Sequence, residues 1–564
     1  MSLASPGINA VESEAGGGVQ NLGSSPGAAV LDAVWGPANE RVLITNEVEL
    51  VTRFGQPTNE NARRWYTINN FLSYVGAVYV ARTVSDTARN ATDTGTGVLI
   101  ENTDDFQNAD VSTYKFVSRY AGLLGNSIEI SVCDSTAAFA TWDYADSFNA
   151  APGTSDHAGK FGSSADELHL VVVDKLGKIT GTPGSVLETF GFLSKAIDGK
   201  NDVGGSSYYR KTINEQSNYI YSGAVALSTT EVGETAYGGS VEDAAAFATT
   251  ETAIEETLTG GVLGTPTVGD ASTTLGLFES KEDVDIDIIM TADGFEALGT
   301  DSSATFANAA ITIAEKRQDC MVTVSPMILS SSGGVVATPA VSTATFFDAV
   351  TRSSYVFATC NYKWQYDKYN DVFRWIPDNG DIAGLISRLD RDFEPWFSPA
   401  GFNRGNIRNV TKLAWNPNQT ERDNLYKNSV NPVVSFPGSG TILFGDKTFV
   451  SKPGAFDRIN VRRLFMIVRK NVVNFSKSIL FETNDSFTRG IFTSAVEQYL
   501  ETVQAARGME EFQVIADESN NTPGVLNANQ FVGDIFIRPL NSINFIRLNF
   551  VAVRAGVEFS EITG

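Results

Sequence analysis

Apolar positions change their period along this chain, and each change marks a different kind of structure. The first 27 residues have no period at all: Gly, Ser and Ala dominate, little there could build a core, and the stretch reads as an extended arm. Apolar residues over 28–35 predict a strand stopped by Gly36-Pro37. Trp65, Ile68, Phe71 and Leu72 recur at helical spacing and predict a helix over 61–74, after which 75–84 alternates into a strand. Residues 85–111, rich in Asp, Thr and Gly, read as a surface connection. Strands follow at 114–119, 128–132 and 168–174, a short helix at 186–196, hairpins and loops over 201–239, and an exposed acidic, Ala-rich helix over 241–257.

A layered pattern starts at 284. Strand 284–290, helix 303–316 and strand 320–325 have the spacing of a right-handed βαβ crossover with parallel strands, and a helix at 343–353 extends the same unit. Beyond 416 the pattern changes again. A helix at 421–428 ends before Pro432, and Asp457 is placed to cap a long helix reaching Phe475. Another helix runs over 488–507, with Phe492, Val496, Tyr499, Leu500 and Val503 on one face. Strands at 512–516, 531–538 and 544–553 close the chain; in the last, Ile546, Leu548, Phe550 and Ala552 share one face. The fold class is thus α+β and α/β, multidomain, with mixed sheets and a βαβ-containing middle unit. The expected divisions are an arm 1–27, a discontinuous α/β domain 28–84 plus 258–415, an inserted β-rich domain 85–257, and a C-terminal α+β domain 416–564.

Composition sharpens this. A chain of 564 residues with 42% hydrophobic content exceeds one core, which agrees with several domains. The net charge of −24 is lopsided: the first 350 residues hold 18 basic against 44 acidic side chains, the remainder 24 against 22. The acidic part repels nucleic acid and anionic membranes, whereas the C-terminal part could meet an acidic partner. Cys133, Cys320 and Cys360 are odd in number and widely spaced, so no disulfide framework is expected. There is no signal-peptide pattern and no apolar run approaching the ~20 residues of a membrane span, so the chain is expected to be soluble and made in a cytoplasm.

Candidate chemistry is sparse. His157 and His169 have no metal-ligand or triad partners in sequence, no phosphate-loop motif occurs, and Gly260–Gly264 lacks the Lys-Ser/Thr that phosphate cradling needs. Asp283, Asp285 and Asp287 alternate with apolar residues, which puts three carboxylates on one strand face, and a solvated sheet face explains them. Catalytic, cofactor-binding and metal residues are therefore expected to be absent. The helix from Arg458 is more informative. Its stripe of Val461, Leu464, Phe465, Val468, Val472 and Phe475 leaves Arg462, Arg463, Arg469, Lys470 and Lys477 within about 120° on the other side. No acidic residue interrupts Arg458 to Lys477, so a docking face for an acidic protein is expected.

Particular strings carry a resemblance. WQYDKYNDVFRWIP (364–377), SPAGFNRG (398–405), FGDKT (444–448), FDRINVRRLF (456–465), SNNTP (519–523) and INFIRLNFVA (543–552) stand in the second half. SPGI (5–8), WGP (35–37), FGQPT (54–58), LLGNSIEI (123–130), DELHLVVVD (166–174) and GSVLETF (184–190) stand in the first. In this order the strings resemble the contractile tail sheath proteins of T-even-like myoviruses. Long members of that family carry a protruding domain before the GN motif; here residues 85–111 are too few for one.

The resemblance implies a structural, non-enzymatic virion subunit that polymerises as six-fold rings stacked helically around a tail tube. Its implied partners are its own copies, the tube protein, and baseplate and terminator proteins, with no cofactor, nucleic acid or membrane. It also implies that domain 85–257 faces outward and 416–564 inward. Ser5, Pro6, Gly7 and Ile8 of the arm, and Ile546, Leu548, Phe550 and Ala552 of the closing strand, would then complete sheets in neighbouring subunits. The cations Arg462, Arg463, Arg469, Lys470 and Lys477 would meet the tube. A sheath of another contractile injection system fits the same residues. An extracellular β-rich hydrolase or adhesin, or an enzyme on the βαβ unit, would need a secretion signal, catalytic carboxylates or a glycine-rich turn that are not seen.

Overall fold

The computed structural model describes residues 26–227, 235–244, 246–295, 304–542 and 544, in two compact units. Of these, the larger takes residues 26–392 and 399–452, the smaller 393–398 and 453–544.

Five short apolar runs make the centre of the larger unit. Gly27–Leu31, Val78–Arg82, Ile288–Met290, Met321–Val324 and Val356–Ala358 are almost wholly buried, with apolar residues on both faces, as strands of a covered parallel sheet must be. They lie in the order 356–358, 321–324, 288–290, 27–31, 78–82, all parallel, with Arg41–Ile44 added antiparallel at the edge. The expected strand–helix–strand unit is present, its helix being Thr305–Arg317. Phe306, Ile311, Phe346 and Phe347 close one side of the core over Ala28, Val30, Ile289 and Val322.

The chain leaves this sheet after Arg82 and returns at Ile288. Between them a four-stranded antiparallel sheet forms, in the order Ser185–Ser194, Glu167–Asp174, Ile128–Cys133, Ile254–Thr257. Here several expectations fail. The helix expected over 186–196 is instead the strand Ser185–Ser194: Glu167–Asp174 offers a long buried ladder, and pairing to it outweighs the helical propensity of VLETF. No helix spans 241–257. A single 3-10 turn at Val241–Asp243 gives way to extended chain because the Asp134 carboxylate takes the N–H and hydroxyl of Thr250, at 3.0 and 2.6 Å. The hairpins and loops expected over 201–239 include the strand Ile220–Ser222, but also a helix that was not expected, Tyr209–Gln216. Nor is 85–111 a surface connection. Ala88, Asn90, Ala91 and Thr92 are fully buried, and Asn90 donates to Ser118 O and accepts from Ile100 N at 2.9 and 2.8 Å. The strand predicted from 284 begins only at Ile288, and Asp287 is buried, so the three aspartates do not form one solvated face.

Buried charge fixes the carboxyl ends of the parallel strands. Arg64, on the helix Ala62–Leu72, forks onto Asp32 at 2.6 and 2.7 Å and onto Asp293 at 2.7 and 2.8 Å, while Arg63 adds a 2.7 Å bond to Asp293. Burial opposes the charge on Asp293, but Arg64 and Arg63 hold its carboxyl down at about 2. The helix Asn379–Asp392 crosses the same edge. It comes so close to helix Ala62–Leu72 that a Cβ on Gly380 would stand 2.2 Å from Thr67 O, and one on Gly384 2.5 Å from the Tyr74 ring. Asp378 precedes this helix and accepts from the Thr359 and Ser325 hydroxyls at 2.6 and 2.9 Å. Asp381 takes the Lys363 ammonium at 2.9 Å and the Tyr74 hydroxyl at 3.1 Å.

Burial pushes Asp378 from 3.8 up to about 7, the neighbouring Asp381 adding to what the two hydroxyl bonds resist. The folded chain therefore keeps a proton that the unfolded chain releases, and this contribution to stability is lost as pH climbs from about 4 through 7. An Asp378→Asn variant should gain on the wild type across that window and hold a constant advantage above it. Calorimetric melting of both proteins between pH 4 and 9 checks this; a melting difference independent of pH would contradict it.

Candidate functional site: an open sheet and a basic helix in the C-terminal unit

Two helices and a hairpin make the core of the smaller unit. Leu464, Val468, Val472 and Phe475 recur at spacings of three and four on the helix Ile459–Ser476 and form one stripe. Phe492, Val496, Tyr499, Leu500 and Val503 do the same on Ser486–Ala505. The stripes meet with Met509, Val514 and Trp396, and Asn471 donates to the Tyr499 hydroxyl at 2.6 Å inside the contact. The second helix is started by Asp485, whose side chain accepts from Thr488 N at 2.8 Å; that bond holds its carboxyl below the usual range. The first helix starts one residue later than its sequence suggested, with Arg458 at the cap position and Asp457 beside it.

The hairpin pairs Met509–Ile515 antiparallel with Asp534–Pro539. Ile535 and Ile537 turn inward to the helices, while Phe536 is exposed. Between the strands Asn521 is buried and ties its turn by bonds to Val532 N and O, at 2.9 and 2.8 Å. Among the described residues this sheet has two strands, so each presents one outer edge of backbone N–H and C=O groups. A two-stranded sheet is marginal by itself, and an open edge is a template for another strand.

The five predicted cations do not share one solvent-facing side. Arg469 and Lys477 are exposed, Arg462 and Lys470 are half-buried, and Arg463 is 4% exposed. Arg462 lies flat over the Phe456 ring at 3.8 Å. An ideal helical wheel puts Arg462 and Arg463 side by side, but the helix is inserted deeply enough for Arg463 to fall on its buried flank. Ser5, Pro6, Gly7, Ile8, Ile546, Leu548, Phe550 and Ala552 lie outside the described residues.

Elsewhere the candidate chemistry is structural. His169 stacks on Phe148 at 4.3 Å; its Nδ1 accepts from Phe192 N at 3.0 Å and its Nε2 lies 2.8 Å from Ala150 O, so burial keeps it neutral. His157 sits in the short helix Asp156–Lys160 with its ring edge-on to Phe161. The three cysteines are buried thiols. Among the described residues no acidic, His and Cys groups gather to hold a metal, and no helix is long and apolar enough to cross a membrane.

Comparison with known proteins gives this architecture its family. The phage tail sheath protein central domain matches residues 264–449, and the phage tail sheath C-terminal domain matches 451–552. Across the whole of both chains the sequence is 32% identical to the tail sheath protein of Enterobacteria phage T4. The chain belongs to the phage tail sheath family. It is a structural part of a contractile tail and hence of the virion. The T4 alignment runs over 663 positions, longer than the chain itself, so that relative has residues this sheath subunit lacks. The tail sheath protein of Vibrio phage KVP40 is 36% identical over 72% of this chain and 58% of its own. A crystal structure of a sheath tail protein from Listeria innocua shares the fold with a TM-score of 0.55, at 12% identity, over 92% of this chain and 93% of its own. One from Desulfitobacterium hafniense has a TM-score of 0.52, covering 91% and 94%.

The hairpin keeps its place only while the two apolar stripes meet. Leu500 is fully buried in that contact. Leu500→Ala should cost the sheath subunit about 2–5 kcal/mol. Urea titration of variant and wild type reads this, and a difference well below 1 kcal/mol would show that the contact can collapse around the gap.

Proposed function

We propose that the subunit polymerises as hexameric rings stacked helically around the tail tube, and that contraction of this lattice drives the tube through the host envelope. The observation that carries the reading is the two-stranded sheet Met509–Ile515 with Asp534–Pro539 and its outer edges. Residues around Ser5–Ile8 and the closing strand around Ile546–Ala552 supply the missing strands between subunits. Each added main-chain hydrogen bond contributes about 0.5–1.5 kcal/mol net, so a handful per junction yields several kcal/mol. Such a junction keeps neighbours joined while each subunit turns as a body.

In this reading the chain divides as an arm 1–27, a discontinuous domain 28–84 plus 258–415, an insertion 85–257 facing outward, and an inner domain 416–564. Arg469, Lys470 and Lys477, with Arg462, meet an acidic tube surface; Arg463 serves by packing. The extended sheath is metastable, and baseplate triggering lets it repack more tightly, so shortening is driven by contacts and needs neither catalysis nor nucleotide.

Two outcomes are expected. Chains without residues 1–25 or 545–564 should keep the wild-type circular dichroism yet form no ordered tubes by electron microscopy, and ordered tubes from either would contradict strand exchange. Arg469→Glu with Lys470→Glu should cut co-sedimentation with tail tubes roughly tenfold at low ionic strength, the deficit shrinking as salt screens the charges. Co-sedimentation equal to wild type would rule out the basic face as the tube contact.

A further inference from the structure

The hairpin Tyr362–Asp367 with Val372–Pro377 has two unlike faces. On one, Lys363, Gln365 and Asp367 are buried and bonded to the frame: Lys363 to Asp381, Gln365 to Asn70, Asp367 to Tyr66 and Arg374. On the other, two directly opposed pairs put four aromatic rings in a row, Trp364 against Trp375 and Tyr366 against Phe373. Ring centres are 4.5 Å apart in the first pair and 5.2 Å in the second, and Trp364 stacks on Phe373 at 6.1 Å. Tyr366 and Phe373 are each 46% exposed. Lys412 closes the row, its ammonium 5.2 Å from one indole and 5.4 Å from the other.

We propose that this aromatic row is a second contact between copies of the sheath subunit, closing against an acidic surface of a neighbour. Three observations favour that occupant. The rings stand on a strand pair whose other face is bonded into the core, so they are already ordered and binding costs little entropy. The open area is on the order of 300 Å², as large as the largest apolar patch of an ordinary monomer yet well short of the ~800 Å² per side that a self-sufficient interface needs. A patch of that size suits a lattice in which other junctions hold the copies together. Last, Lys412 is held over indole faces and offers its charge outward, and a copy of this chain, with 44 acidic side chains in its first 350 residues, provides carboxylates to meet it. The inference rests on the chain assembling with its own copies and not on which segments join them.

Hydroxyl-radical footprinting of the full-length chain, free and in assembled tubes, tests it. Trp364, Tyr366, Phe373 and Trp375 should lose most of their reactivity on assembly. Tyr366→Ser with Phe373→Ser, and separately Lys412→Glu, should raise the critical concentration for tube formation about tenfold or more, corresponding to ~1.4 kcal/mol per subunit, while the free variants keep the wild-type circular dichroism at the assembly temperature. Tubes in which these rings react as in the free chain would overturn this contact and leave strand exchange standing. A wild-type chain that never forms tubes would overturn both. An unchanged footprint, with indole fluorescence shifting on addition of oligosaccharide, would assign the row to glycan and overturn the proposal.

Discussion

A strand at the edge of a sheet cannot satisfy its backbone alone. In the C-terminal unit, Met509–Ile515 and Asp534–Pro539 pair with each other on one side, and among the described residues no third strand joins them, although the Glu510 and Ile515 carbonyls accept from the Gln504 and Asn520 side chains. Water can take the groups left over in a free subunit, whereas a strand added from elsewhere gives aligned bonds. An assembly built on such edges has joints that are strong along the backbone and tolerant of rotation. That is the property a contractile lattice needs.

The larger unit is pinned by buried charge. Arg64 between Asp32 and Asp293, Lys363 on Asp381, and Lys195 bonded to the carbonyls of Asp134, Ala165 and Ala248 all lie out of water. Buried ion pairs contribute little net stability compared with apolar packing, but removing one partner strands the other charge, so they hold geometry to a single solution. The four groups Asp32, Asp293, Asp378 and Asp381 gather where parallel strands end and two helices cross, the place where many α/β folds admit a ligand. Here arginines hold both oxygens of Asp32 and Asp293, and lysine and hydroxyl side chains hold Oδ1 of Asp378 and Asp381, whose buried Oδ2 atoms have no hydrogen-bond partner among the described residues. The region serves as a clamp in the subunit.

Much of this was legible in the order of residues. The runs at 28–35 and 75–84 read as strands, the spacing of 284–290 and 320–325 as a parallel pair, and the stripes of the two C-terminal helices were plain at their spacing. What was hidden depended on distant partners. Ser185–Ser194 became a strand because Glu167–Asp174 was there to pair with, and 85–111 was drawn inward because Asn90 could satisfy Ser118 and Ile100. The aromatic row was present in WQYDKYNDVFRWIP as alternation, yet only the register of the hairpin brings Trp364 to Trp375 and Tyr366 to Phe373. Arg463 shows the reverse error: a charge with helical spacing suited to solvent can still be buried when the helix seats deeply.

The central claim concerns hydrogen bonds that the free subunit lacks and the assembled sheath possesses, so amide exchange reads it directly. Deuterium uptake over 509–515 and 534–539 should be fast at the outward-facing amides of the free chain and slow markedly in assembled tubes, while the buried strands of the large sheet exchange slowly in both. Outer amides that exchange as fast in tubes as in the free chain would mean that no strand is added there, and the joint described above would not exist.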